Sequence, residues 1–254
     1  HRHRYEFNNV YREALGEAGL VICIGGESDS WLDDFLDSFD HEIKECRLID
    51  YVDPLAEEKV EGMQTEGGAL HTESDETEYD EHIWTAPSQA ITMTEVIRDE
   101  ICGANEESAE LIKANADAYL KELEDLDLEY HDFFDGKDKL MIFGDRFPFR
   151  YLMEDYGIEY YAAFEGCSAE SDASFETIIF LAGKVDELGL KCVFTIDGSD
   201  GKIAQTVINN TENKDQTIFM LDSMQSVNKE DIAEGVTYIS VMEYNLEVLT
   251  KCSD

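Results

Sequence analysis

Basic residues are scarce: the 254-residue chain has 19 Lys and Arg against 59 Asp and Glu, a formal charge of −40. No cationic stripe is available to displace counterions from phosphates, which excludes nucleic acid as a partner. The same field repels anionic lipid surfaces and attracts cations. No apolar run approaches the roughly 18 residues of a bilayer-spanning helix. The six cysteines, Cys23, Cys46, Cys102, Cys167, Cys192 and Cys252, form no C-x-x-C, which argues against a zinc ribbon or a thioredoxin-type redox site. Their number fits a reducing compartment, and equally one or two bridges outside it. Neither Gly25-Gly26 nor Gly198–Gly201 builds a G-x-G-x-x-G or G-K-[ST] phosphate loop. H-E-x-x-H is absent, as is paired-carboxylate spacing for hydrolysis. The opening HRHRYEFNN is no signal peptide, so a processed or missing start is expected.

What is present is a core. Hydrophobic residues make up 43% and aromatics 11% of the chain, too much for a disordered acidic tail. At roughly 150 residues per domain the length suits one large or two modest domains. Short apolar runs at Leu20–Ile24, Leu140–Phe143, Tyr160–Phe164, Cys192–Ile196 and Ile218–Leu221 read as buried strands. Helical patterns follow most of them, and that alternation marks an α/β fold with parallel sheets covered on both faces. Ala90, Met93, Ile97 and Ile101 recur at helical spacing behind Pro87, which a first helical turn tolerates. A longer helix is predicted from about Glu106 to Leu126, with Leu111, Ala114, Ala118, Leu123 and Leu126 on its apolar face. Asp117–Lys121 and Lys121–Asp125 would pair on its exposed side. The expectation is two Rossmann-like lobes joined by one long rigid helix: residues 1–104, an interlobe helix over 105–134, and residues 135–254.

Residues 64–81 hold seven acids, two glycines and His71 without apolar period, so they read as a mobile loop. His82 follows in Asp80-Glu81-His82-Ile83-Trp84. An imidazole beside carboxylates is a common ligand arrangement, because an acid can fix its tautomer. From these residues alone, a surface histidine in an acidic loop is the commoner reading. His41 and His131 read as surface residues. Glu27 and Asp29, at a strand end, suit hydrogen bonding better than ligation. Cys167 has no histidine placed to make it a nucleophile.

The order of motifs resembles a known family. His3-Arg4-Tyr5, a helix, then Gly25-Gly26-Glu27-Ser28-Asp29-Ser30-Trp31 is similar to a stretch of the zinc-uptake solute-binding proteins of the ZnuA/AdcA-like class (cluster A-I). These are the receptors of metal ABC transporters. Asp80-Glu81-His82-Ile83-Trp84-Thr85-Ala86-Pro87 resembles the segment that carries one of their metal-binding histidines. Asp145-Arg146-Phe147-Pro148-Phe149-Arg150-Tyr151 resembles the opening of their second lobe, and Gly235–Tyr238 with Met242–Leu246 their C-terminal helix. The likeness runs from His3 to Asp254. It implies a metal site between the lobes, and a first strand and helix lying upstream of residue 1.

Carried over residue by residue, the resemblance makes His3, His82 and Asp222 metal ligands. Two imidazoles and a carboxylate suit zinc. At Arg146 the family has a His or Glu; an Arg has no lone pair to give, so the neighbouring Asp145 becomes the candidate fourth ligand. The resemblance further implies a Cys192–Cys252 disulfide, worth roughly 4–5 kcal/mol through loop closure in the unfolded chain. The function it implies is a non-enzymatic, monomeric, extracytoplasmic receptor, periplasmic or anchored as a lipoprotein, that delivers zinc to an ABC permease. Alternatives are a manganese receptor on the same fold, a metal-dependent hydrolase, or an adhesin or interaction module on this scaffold.

Overall fold

The computed structural model of the chain describes residues 15–64, 78–136, 140–166 and 172–253. The segment His3-Arg4-Tyr5, His71 and Cys167 lie outside them. Among the described residues six strands form two sheets, all of whose pairings are parallel. The smaller sheet pairs β1 (Leu20–Cys23) with β2 (Lys44–Arg47), in register from Leu20 opposite Lys44 to Cys23 opposite Arg47. The larger holds β3 (Leu140–Phe147), β4 (Glu159–Glu165), β5 (Cys192–Ile196) and β6 (Thr217–Leu221) in the order β4-β3-β5-β6. The five expected strands are present. β2 was not expected, because Lys44-Glu45-Cys46-Arg47 buries only Cys46 fully and shows no apolar run.

Eight helices pack on these sheets among the described residues. They are α1 (Trp31–Leu36), α2 (Pro87–Ala104), α3 (Ala109–Phe134), α4 (Arg150–Tyr156), α5 (Phe175–Leu188), α6 (Lys202–Asn209), α7 (Lys229–Ala233) and α8 (Tyr238–Ser253). Pro87 occupies the first turn of α2, as its missing N–H and fixed φ allow. The larger sheet separates two cores by the alternation of its strands. Met141, Phe143, Cys192, Phe194 and Ile196 face α3, α4 and α8, while Ile142 and Val193 face α5 and α6. At Gly144 a Cβ would overlap the backbone of Ala204, so only glycine lets α6 lie this close to β3.

The long helix α3 runs to Phe134, eight residues beyond the apolar stripe read from the sequence, after a 3-10 turn at Glu106–Ser108. Its expected face is corrected in the first half. Leu111 is 64% exposed, and Ala114 and Ala118 are exposed as well. The inward line runs through Ile112, Ala116 and Leu120 to Leu123, Leu126, Tyr130 and Phe134. Alanine carries too little apolar surface to fix a helix's rotation, so larger side chains further along decide it. Lys121 pairs with Asp125 (3.9 Å) as expected, but Asp117 turns to Arg98 of α2 (3.8 Å).

Cys192, opening β5, and Cys252, in the last turn of α8, form a disulfide with Cα atoms 5.9 Å apart. It pins the final helix to a central strand across a sequence separation of 60. The double variant Cys192→Ser/Cys252→Ser should lose about 4 kcal/mol of unfolding free energy, read as a lower urea midpoint. Iodoacetamide should label neither sulfur in unreduced, denatured wild type.

Candidate metal centre

Local structure around His82 starts with Asp80. The Asp80 N–H donates to the Leu55 carbonyl (2.9 Å), and the Asp80 carbonyl accepts the hydroxyl of Tyr151 (2.8 Å), which in turn accepts the Leu55 N–H (3.2 Å). Held this way, the Asp80 carboxylate accepts the His82 backbone N–H at 2.8 Å and faces His82 Nδ1 at 2.9 Å through the same oxygen. The surface reading of this segment is thereby corrected: His82 is 2% exposed and Asp80 5%. Burial follows from the apolar residues that come next, Ile83 and Ala86, which enter the core under α2 and carry the turn inward. A carboxylate at Nδ1 places the ring proton there and leaves the imidazole lone pair on Nε2, as a metal-ligating histidine requires. Opposite the ring stands Gly166. A Cβ there would come within 2.9 Å of His82 Cε1 and of the Phe147 carbonyl.

Carboxylates accumulate behind this pair. Burial pushes the Glu57 carboxyl up to about 7, and the negative charges of Glu165, Asp80 and Glu78 add to the effect. Lys59 pairs with Glu165 (3.1 Å), and Arg150 with Glu58 (2.8 Å).

The second group of residues sits at the carboxyl ends of the larger sheet, where open α/β sheets place their ligands. Asp145, near the end of β3, is buried. Its Oδ1 accepts the Arg146 N–H (2.9 Å) and its Oδ2 accepts the Ser199 hydroxyl from the loop after β5. Both oxygens are therefore engaged from within the sheet, across the point between β3 and β5 where the strand order reverses. Arg146 makes no ion pair among the described residues.

Asp222 directly follows β6. Asn245 of α8 clamps its backbone from both sides: the Asp222 N–H donates to Oδ1 and Nδ2 donates to the Asp222 carbonyl, each at 2.8 Å. Its side chain accepts the Met224 N–H (2.7 Å). Burial raises the Asp222 carboxyl above the usual range, and the charges of Asp197 and Asp231 raise it further. A cavity of about 380 Å3 opens here, with Asp197, Ser199, Asp222 and Asp231 in its lining.

Two residues beyond the sequence reading shape this end. Asp197, at the end of β5, accepts four hydrogen bonds from Ser223 and Ser226. Burial opposes its charge, yet these donors outweigh it and hold the carboxyl below its usual range. The signal in the sequence was an acid directly after an apolar strand and before glycine, in Thr195-Ile196-Asp197-Gly198. The other is Trp84, whose Nε1 donates to the Ser223 carbonyl at 2.9 Å. That bond ties the His82 turn to the Asp222 loop. Asp29 accepts the Gly25 N–H at 2.9 Å, a hydrogen bond of the kind expected for it.

Among the described residues no group of three or more His, Cys, Asp or Glu side chains is placed to hold a metal ion. His82 and Asp222 are brought to neighbouring segments, Asp145 is turned into the sheet, and His3 lies outside the described residues.

With this geometry in place, the comparisons define a class. The description of the family "Zinc-uptake complex component A periplasmic" (ZnuA) matches residues 1–252, and the chain belongs to that family. The zinc-binding protein AdcA of Streptococcus pyogenes is 30% identical over 177 residues, 69% of this chain and 33% of that protein. The zinc-binding lipoprotein AdcA of Streptococcus pneumoniae is 25% identical over 256 residues, 99% of this chain and 49% of that protein. The chain thus spans between a third and half of these relatives. Among solved structures, the Zn(II)-bound ZnuA-like domain of Streptococcus pneumoniae AdcA superposes with a TM-score of 0.72 at 24% identity, covering 100% of this chain and 86% of that one. The metal-dependent lipoprotein YcdH of Bacillus subtilis gives 0.76 at 20%, covering 98% and 86%. The α/β fold with parallel sheets and one long helix is the fold of these structures.

The Glu57 carboxyl gives a pH dependence with a defined sign. The folded chain keeps a proton on Glu57 that the unfolded chain has released, so stability falls as pH rises from about 4.5 to about 7. Glu57→Gln should flatten urea midpoints across that window. An unchanged slope would remove Glu57 as its source.

Proposed function

We propose that the chain is an extracytoplasmic receptor, without enzymatic activity, that captures zinc and delivers it to a metal ABC permease. On this reading His3 and His82 from residues 1–104 meet Asp222 from residues 135–254, with α3 spanning the two parts. The observation that carries it is the buried Asp80–His82 pair, whose Nδ1 is engaged at 2.9 Å and whose turn is bonded to the Asp222 loop through Trp84. Such a pair orients an imidazole Nε2 and raises its basicity, which suits a borderline-soft divalent ion. The zinc-binding names of the AdcA relatives and the family's description support the choice of ion and the location outside the cytoplasm. Asp145 is the weaker fourth ligand, since ligation would require one oxygen to give up Ser199 or share it. A monomer suffices, because every proposed ligand comes from one chain, and a lipid anchor would hold it beside its permease.

Zinc is the cargo here, and the chain's part is to hold its ligands deprotonated and at fixed separation. Affinity should therefore fall as pH drops through the histidine range near 6.5.

Elemental analysis by inductively coupled plasma mass spectrometry, on protein purified without chelators, tests the reading. Wild type should carry about one zinc per chain, and His82→Ala should lose it. Manganese at that ratio would change the cargo, and no metal after zinc is added back would end the receptor reading.

A further inference from the structure

We propose that Asp197 is a positioning residue for metal capture, holding Asp222 in register with His82 through the loop that follows β6. The inference rests on the reading of His82 and Asp222 as ligands and goes beyond it in naming what sets their separation.

Asp197 is not itself a ligand, because its acceptor positions are taken. Oδ1 receives the Ser223 N–H and hydroxyl, both at 2.6 Å, and Oδ2 receives the Ser226 N–H at 3.0 Å and its hydroxyl at 2.6 Å. Two donors on each oxygen fill the lone-pair directions of a carboxylate. One side chain therefore ties down both ends of a four-residue loop whose first neighbour is Asp222.

Ser223 is the hub. It is 0% exposed, its N–H and hydroxyl end on Asp197, and its carbonyl accepts the indole N–H of Trp84. It directly follows Asp222, and a single residue, Ile83, separates Trp84 from His82. Inside the loop Met224 adopts φ 63°, a left-handed conformation that strains a residue with a Cβ. The strain persists because the clamp and the bond from Met224 N–H to Asp222 Oδ1 over-determine it, and that bond also aims the Asp222 carboxylate. An amide in place of Asp197 would turn an NH2 group toward the donors of one serine and release that end of the loop.

The experiment uses the full chain as wild type, Asp197→Asn, Ser226→Ala and Asp222→Ala. Zinc affinity is read by competition with a chromophoric chelator, ligand geometry by the d–d absorption of the cobalt(II) form, and folding by thermal melting. Asp197→Asn should bind zinc about 10- to 100-fold more weakly, with an altered cobalt spectrum, and Ser226→Ala should move both readouts the same way by less. A purely structural clamp would lower the melting temperature and leave the cobalt spectrum of the folded protein unchanged, which would overturn the proposal. Wild-type affinity and spectrum in both variants, beside loss of zinc in Asp222→Ala, would also overturn it while sparing the ligand reading. Wild-type binding in Asp222→Ala would defeat that reading and this inference together. Should Asp197→Asn fail to fold, Ser226→Ala decides by the same two readouts.

Discussion

Everything else in the fold depends on α3 lending one continuous face to two different cores. Leu123 packs with Ile83, Ala86 and Ala90 beside the smaller sheet, while Leu126, Tyr130 and Phe134 pack with Phe143 and Tyr156 beside the larger one. Each fully buried side chain of this size contributes about 1.5–3 kcal/mol, and they sit on one rigid rod. The two sheets cannot turn relative to each other without unseating one half of that face. Tyr151 reinforces the join, since it belongs to α4 yet is buried in the smaller sheet's core and bonded to Asp80 and Leu55. Tyr130 adds a bond from its hydroxyl to the Met242 carbonyl of α8 at 2.8 Å. A hinge opening of the kind flexible linkers permit would break the Tyr151 and Trp84 bonds at once. The geometry instead favours a site whose access changes by local movement.

That rigidity explains how so acidic a chain organises a site. With few cations to spare, Arg150 and Lys59 are spent on Glu58 and Glu165 behind His82, and Arg47 on the Gly25 carbonyl. The remaining acids near the functional end are satisfied by neutral donors: serine hydroxyls and backbone N–H groups. Neutral donors stabilise a carboxylate without cancelling its field. The result is a negative potential held by fixed dipoles, which draws divalent cations at low ionic strength and is screened beyond about 8 Å in physiological salt.

Much of this was legible in the sequence, and the exceptions have physical causes. Buried parallel strands announce themselves as apolar runs, so five of the six described strands could be read directly. Lys44–Arg47 could not, because an edge strand of a two-stranded sheet buries little. The rotation of α3 was misjudged where alanines were asked to define a face. His82 looked exposed among acids, since the residues that bury it come after it and Asp80's role is a tertiary fact set by Tyr151 and Leu55. The resemblance, not residue chemistry, singled out Asp222 among 59 acids. Asp197 carried a local signal, an acid between an apolar strand and a glycine, but its serine partners, like the carbonyl that Trp84 meets, are set by loop geometry that no local pattern encodes. Asp145, chosen because Arg146 cannot ligate, proved to be occupied by Ser199 and its own neighbour's N–H.

The acidic end of the larger sheet also suggests where binding free energy for a cation is stored. Asp222 is partly buried and lies in the field of Asp197 and Asp231, so its charged form is disfavoured in the free protein. Asp197 cannot relieve the conflict by taking a proton, because its four donors require the ionised form. The Met224 N–H offsets part of that cost, and Asn245 holds the Asp222 backbone in place. On the receptor reading, an arriving divalent ion removes that like-charge conflict, a gain no surface carboxylate could offer it. A protonated Asp222 forfeits the gain, so loss of cargo in acid would come from the carboxylate as well as from the histidines. On the receptor reading, the charge on Asp197 thus serves both the clamp on the Asp222 loop and part of the repulsion on Asp222, to which burial and Asp231 add.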